Sequence, residues 1–429
     1  MSILSVEQSN ANSTSASTVN NYTTSQVLDA FGRQRVSDAY TLGDYKHVYG
    51  EETEMLTMYS GVGANKMLRS SEASVRLSVG TGIGEYVTHQ SRMYHHYMPG
   101  KSQLCFSSFC FGAASSGTNK RIGMFDDLNG IYFQQSGDGT LQFVIRSSTG
   151  SAVSERVVPQ SEWNIDKCNG VDNSIFNMDI TKTQLFTCDY QWLGVGRVRC
   201  GFVHNGVSVV AHEFYNSNNY NTVYISNPNL PIRCEIRNYA TSVSGYMDQI
   251  CSSVISEGGY SEAGVDFAVS NISLRSVAGS STLPTLAIRL STGYKGVPNR
   301  SIVRLGKATY ANIDNNAYYE VWRLPSSSGI LGGTWSGVDV QSVVEYNSTA
   351  TGVNFVSGNR IDCGFLPAGG NGSNSYMSTN GTNKVSDARQ GYISQNITST
   401  DSNVFAMVFK NLTASATNTF TTLQWRETR

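Results

Sequence analysis

Charge is what this chain has least of. Only 15% of its 429 residues are Asp, Glu, Lys or Arg, and 31 basic against 32 acidic side chains leave a net charge of −1. No basic block runs along it to track phosphates, which argues against nucleic acid as a partner. A near-neutral surface also favours association over dispersal. Apolar runs approaching the ~20 residues needed to cross a bilayer are missing, so no membrane span is expected. The opening MSILSVEQSNANSTSASTVNNYTTSQ lacks the positive and then apolar regions of a secretory signal. Synthesis in the cytoplasm, with release when the cell breaks open, is the expectation.

Catalytic and ligand-binding signatures are equally scarce. There is no GxSxG, no GxGxxG entering a helix and no P-loop; GTGIG at Gly80–Gly84 and GVG at Gly194–Gly196 resemble such loops only superficially. Eight cysteines (Cys105, Cys110, Cys168, Cys188, Cys200, Cys234, Cys251 and Cys363) form no CxxC or zinc-ribbon spacing. In a cytosolic chain long enough to build a core they are expected as buried free thiols. His95-His96 is the one histidine pair, but neighbours on a strand point to opposite faces and do not converge on a metal. In FDDLNG, Asp126, Asp127 and Asn129 offer fewer oxygens than calcium requires, which favours a turn. Glu213, Glu235 and Asp248 are carboxylates of a kind any protein has, and nothing pairs them for glycoside hydrolysis. Neither a metal nor a cofactor is expected, and the chain is read as a non-enzyme.

What is present is strand pattern. NGIYFQQSGDGTLQFVIRSS places two β-rich runs around Gly137–Gly139, a hairpin turn signal. DYQWLGVGRVRCGFVHNGVSVVAHEFY has the same design, with a run from Trp192 to Val203, the turn Asn205-Gly206, and a second run from Val207 to Phe214. Val198, Cys200 and Phe202 alternate with Arg197, Arg199 and Gly201, so apolar side chains take one face and arginines the other. LCFSSFCF, NSIFNMDI, TQLFTCDY, PIRCEIRN and DFAVSNISLRSV read as further strands. The expected fold is all-β: a jelly-roll-like antiparallel β-sandwich plus a second, smaller β-sandwich. Residues 1–26 are expected as a flexible N-terminal arm, 27–277 as the main domain and 278–429 as the C-terminal domain, the boundary lying in AGSSTLPT.

Two segments carry a resemblance. DAFGRQRVSDAYTLGDYKHVYG, and GIYFQQSGDGTLQFVIRSSTG continuing through DYQWLGVGRVR to PIRCEIRN, resemble a family of virion structural proteins of tailed bacteriophages, over roughly Asp29 to Asn238. The resemblance implies a virion component made in the bacterial host cytoplasm, such as a capsid decoration, head fibre or collar subunit. Its partners would be copies of itself, with a trimer favoured by analogy, and other virion proteins. A tail fibre or baseplate adhesin that binds host-surface glycans through loops of the C-terminal domain is the alternative. Phe31, Arg33 and Arg35 are candidate assembly residues, with Trp192, Arg197 and Arg199 as markers of the main sandwich. The arginines read equally well as solvated strand residues. No catalytic set is implied.

Overall fold

The computed structural model describes residues 38–150, 152–241, 243–260, 263–375 and 392–429. The expected arm over 1–26, together with Phe31, Arg33 and Arg35, lies outside the described residues. Among the described residues the regular elements are strands and three short 3-10 turns. No helix there is long and apolar enough to cross a membrane.

The first sandwich uses β1 (Tyr40–Lys46), β2 (Met55–Ser60), β3 (Asn65–Arg69), β4 (Ser74–Val79), β5 (Tyr86–Ser91), β6 (Gln103–Cys110), β7 (Thr118–Phe125) and β8 (Gly130–Gln135). It continues with β9 (Leu141–Ser147), β10 (Ser154–Pro159), β11 (Gln184–Tyr190), β12 (Val198–His204), β13 (Val207–Phe214), β14 (Ile232–Asn238) and β15 (Gly245–Ser256). One sheet has the order β13-β12-β11-β6-β15-β4-β3, with β1 also paired to β15; the other has the order β10-β9-β8-β7-β14-β5-β2. Neighbours far apart in sequence, such as β6 beside both β11 and β15, give the jelly-roll-like weave.

Period-two alternation sets the core. Along β6, burial alternates residue by residue, and Cys105 and Phe109 face inward. Phe186 and Phe202 meet Phe133 and Phe143 from the opposite sheet, with Phe133 ring centres 5.0 Å from Phe202 and 5.5 Å from Phe143. Trp163 closes the cluster, stacked on Phe143 at 4.3 Å. Truncating one such ring costs about 3–5 kcal/mol. Both expected hairpins form: Gly139 turns with φ +90°, while Asn205 and Gly206 take φ of +49° and +78°, the left-handed pair that a two-residue turn requires.

Three expectations need correction. The run from Trp192 to Val203 becomes a strand only at Val198, because Leu193 and Gly194 adopt φ of +37° and +80° and turn the chain. NSIFNMDI is an irregular loop, organised by the buried Asp166, whose carboxylate accepts from the N–H groups of Cys168 (2.7 Å) and Ile175 (2.9 Å). The boundary at 277/278 falls too late, since Val265–Ser270 and Arg275–Val277 both pair with the last strand, Thr417–Thr428, inside the second sandwich. Such pairing spans some 150 residues and leaves no local mark.

In that second sandwich one sheet is built around Thr417–Thr428 and Ile302–Asn312. The other has Thr282–Leu290, Val404–Asn411 and Ala317–Leu324 at its centre. Leu305, Leu423 and Trp425 pack against Phe405, Met407 and Phe409 between them. The sandwiches touch through Met93, Ile302 and Tyr392, and through Arg323, whose guanidinium grips Glu54 with two bonds of 2.6 and 2.9 Å.

Candidate functional site

Alternation that buries one face of a strand presents the other, and β6 presents Leu104 and Phe106 where solvent-facing residues are normally polar. Strand register extends these into rows across four further strands. In the first row Ile255, Leu104, Asp189, Arg199 and Glu213 are direct neighbours on β15, β6, β11, β12 and β13. Ser253, Phe106, Thr187, Gly201 and Val210 form the second. Gly201 is dictated by a bulge, since a Cβ there would lie 2.1 Å from the Val209 carbonyl oxygen.

The rows floor an open groove of about 400 Å³, lined by Leu104, Phe106, Leu185, Thr187, Asp189, Arg199, Val203, Ser208 and Val210. Asp189 and Arg199 form a buried ion pair, each side chain 7% exposed. Arg197 pairs with Glu213 at 3.3 Å, and Tyr215 donates to the same carboxylate. The hydroxyls of Thr187 and Ser208 have no hydrogen-bond partner among the described residues, and both residues line the groove. Further along the same face Arg76 holds Asp248 with two bonds of 2.7 Å, and Asp248 raises the Arg76 guanidinium above its ordinary value.

Of the residues singled out from sequence, Arg197 and Arg199 reach this face, Arg199 buried and paired instead of solvated. Trp192 sits beside it in a loop, its indole N–H donating to the Ile225 carbonyl at 2.9 Å while the Tyr97 hydroxyl accepts from its backbone N–H at 2.9 Å. Leu104, Phe106, Thr187 and Asp189 were not singled out. A detectable signal existed in LCFSSFCF, whose second face is as apolar as its first.

The other candidates resolve into structure. Glu85 fills the GTGIG loop, its carboxylate accepting from the N–H groups of Gly63 (2.9 Å) and Gly80 (2.6 Å), so the nest that would cradle a phosphate already holds a side chain. His95 is a core residue. Its Nδ1–H donates to the Leu230 carbonyl at 3.0 Å, its Nε2 accepts from Tyr45 at 3.0 Å, and burial lowers its pKa to about 4. Asp126 caps its own turn through the N–H groups of Leu128 and Asn129, both at 2.8 Å. Burial alone would raise the Glu235 carboxyl, but Arg121 at 2.7 Å and Arg233 at 3.5 Å outweigh it and hold it below the ordinary range. Among the described residues no group of three or more His, Cys, Asp or Glu is arranged to hold a metal. All eight cysteines are free; Cys105, Cys168, Cys188, Cys200 and Cys234 are buried, whereas Cys251 and Cys363 are exposed, contrary to expectation, and Cys110 lies between.

No protein-family description and no curated protein matches the chain. Several solved structures are similar in shape. A protein of unknown function from Shewanella oneidensis MR-1 is 8% identical and covers 59% of this chain and 100% of its own, with a TM-score of 0.34. The CBM2 module of the evolved Dit of Lactobacillus casei BL23 phage J-1 is 7% identical, covering 52% and 99%, at 0.35. Peanut lectin is 12% identical, covering 51% and 98%, at 0.28. Likeness at this level says nothing about function.

Proposed function

We propose that the protein is a binding component of a tailed-phage particle and that the groove on its first sandwich takes a carbohydrate chain. The observation that carries this reading is the composition of the groove floor. A sugar ring has an apolar C–H face and a rim of hydroxyls. Phe106, Leu104 and Leu185 offer the first a flat apolar bed, and Thr187, Ser208 and the Asp189–Arg199 pair offer the second donors and acceptors. Asp189 and Glu213 both engage arginines, and in this reading they hold the geometry of the groove and bind. The glycan site thus moves from the loops of the C-terminal domain to a sheet face of the first sandwich.

Placement in the virion rests on the sequence resemblance, and an assembly role among copies of the chain is supported by Asn359–Leu366. This edge strand carries Phe365 76% exposed, a ready surface for a neighbouring subunit. Glycan-array screening of the full chain, followed by saturation-transfer NMR, tests the groove. Binding in about the micromolar to millimolar range is expected, lost in Phe106→Ala; retention of full affinity in that variant would place the ligand elsewhere. Mass spectrometry of purified particles tests the virion role, with hundreds of copies indicating shell decoration and a few dozen at most a tail or collar.

A further inference from the structure

Where the two sandwiches meet there is a second, smaller cavity of about 100 Å³. Thr53, Pro325, Ser357 and Asn359 are exposed at its mouth, and Glu54, Arg92 and Arg323 form its buried wall. The Glu54 carboxylate is fully engaged: Arg323 occupies both oxygens and the Tyr392 hydroxyl adds a bond of 2.8 Å. Arg323 completes its own set by donating through Nε to the Tyr392 carbonyl at 2.9 Å.

Arg92 is left over. It follows β5, is 8% exposed, and its backbone N–H reaches the Glu54 carbonyl at 2.7 Å, yet its guanidinium has no hydrogen-bond or ion-pair partner among the described residues. Asp401 attracts it only from beyond contact range, being tied to Ser326 and to the N–H of Ser327. Burial, and then the charge of Arg323, lower its pKa, but a guanidinium stays protonated in proteins. The Arg92 nitrogens are not among the buried donors cut off from solvent and so open onto the cavity, where a cation set beside a second guanidinium favours an anion. Two guanidinium groups here face one carboxylate.

We propose that this cavity binds a small oxyanion, a phosphate or carboxylate group, with Arg92 as its principal ligand. The space has room for a compact oxyanion, and it lies where the two sandwiches meet, away from the groove on the outer sheet face. The site is therefore separate from the groove and does not rest on the glycan reading. The cavity exists only where the two sandwiches meet, so an anion bound there stabilises the folded chain by mass action.

Thermal unfolding of the full chain at fixed ionic strength, with sodium phosphate or sodium acetate replacing sodium chloride, reads this directly. A saturable rise in Tm is expected with phosphate, acetate or both, and Arg92→Gln is expected to lose it while the exposed Arg237→Gln keeps it. Isothermal titration of the native chain with phosphate and with acetate should show one site per chain. Asn359→Asp, at the exposed mouth, should weaken that binding roughly tenfold by placing a like charge beside the anion, a check that holds even if Arg92→Gln does not fold. No rise over chloride with either anion would overturn the proposal, as would an undiminished rise in Arg92→Gln or unchanged affinity in Asn359→Asp.

Discussion

In the second sandwich the sheet face turned away from the core, built from Ala287, Val404, Ala406 and Val408, is buried under the chain's own excursion through Ile330, Trp335, Ala350, Val353 and Phe355. In the first sandwich the corresponding face of the eight-stranded sheet, with Leu104, Phe106, Leu185 and Val210, is left open as a groove. Both faces are apolar beyond what alternation requires. One has its cover within the chain, and its central strand VFAMVFKN is accordingly buried on both sides. The other mixes its apolar side chains with a buried ion pair and free-standing hydroxyls, a floor suited to a ligand that is itself part polar. An apolar outer face acquires meaning only when the rest of the fold shows whether anything lies on it.

Acid should separate the two regions most strongly. All six histidines lie in the first sandwich, between His47 and His212. Burial lowers His95 and His212 to about 4 and His89 to about 3. Each folds as a neutral base with a pKa below its unfolded value. The stability it contributes is therefore intact above about pH 6.5 and drains away toward pH 4, by up to about 1.4 kcal/mol per pH unit per group, as the unfolded chain takes up the proton first. Hydrogen exchange followed by mass spectrometry should show the first sandwich losing protection before the second as pH falls through this window. Equal loss in both would remove the histidines from the explanation.

A charge-pair test comes next in size. Arg199→Leu leaves Asp189 buried without its cation and should cost about 3–5 kcal/mol in urea unfolding, whereas the double change Asp189→Leu/Arg199→Leu should recover most of it. A single-variant cost below about 1 kcal/mol would mean the pair is effectively solvated. The last two substitutions compare the faces directly. Phe355→Ala removes a cover ring packed 4.5 Å from Trp322 and should cost about 1.5–3 kcal/mol, with new binding of a hydrophobic dye. Phe106→Ala on the open face should cost under ~1 kcal/mol and leave dye binding unchanged, its effect appearing in glycan affinity. If Phe106→Ala destabilises as much as Phe355→Ala, the groove is core and not a site.

Much of the fold was legible because a strand writes its burial into every second residue. TQLFTCDY, PIRCEIRN and the two glycine-marked hairpins could be placed from that period and from residues that tolerate positive φ. Trp192–Arg197 misled because its residues suit a strand and only Leu193 and Gly194 turn it aside. Val265–Val277 misled because nothing in those residues says that their partner is the end of the chain. Of the groove, the arginine face of β12 was visible. Its apolar half on β6 was not singled out, since Leu104 becomes a neighbour of Asp189 only through register between strands far apart in sequence; Asp189, ten residues before Arg199 on the preceding strand, was within reach of local pattern and was missed.

By itself, then, the order of residues determined sheet content, which side chains of each strand point together, and where the tight turns fall, because those depend on local sterics and a two-residue repeat. Tertiary structure alone decided which apolar faces are covered, that Leu104 lies beside Asp189, and that Arg92 and Arg323 face one carboxylate across two sandwiches. Those outcomes depend on long-range register and on packing between sheets, and no local stretch of chain encodes either.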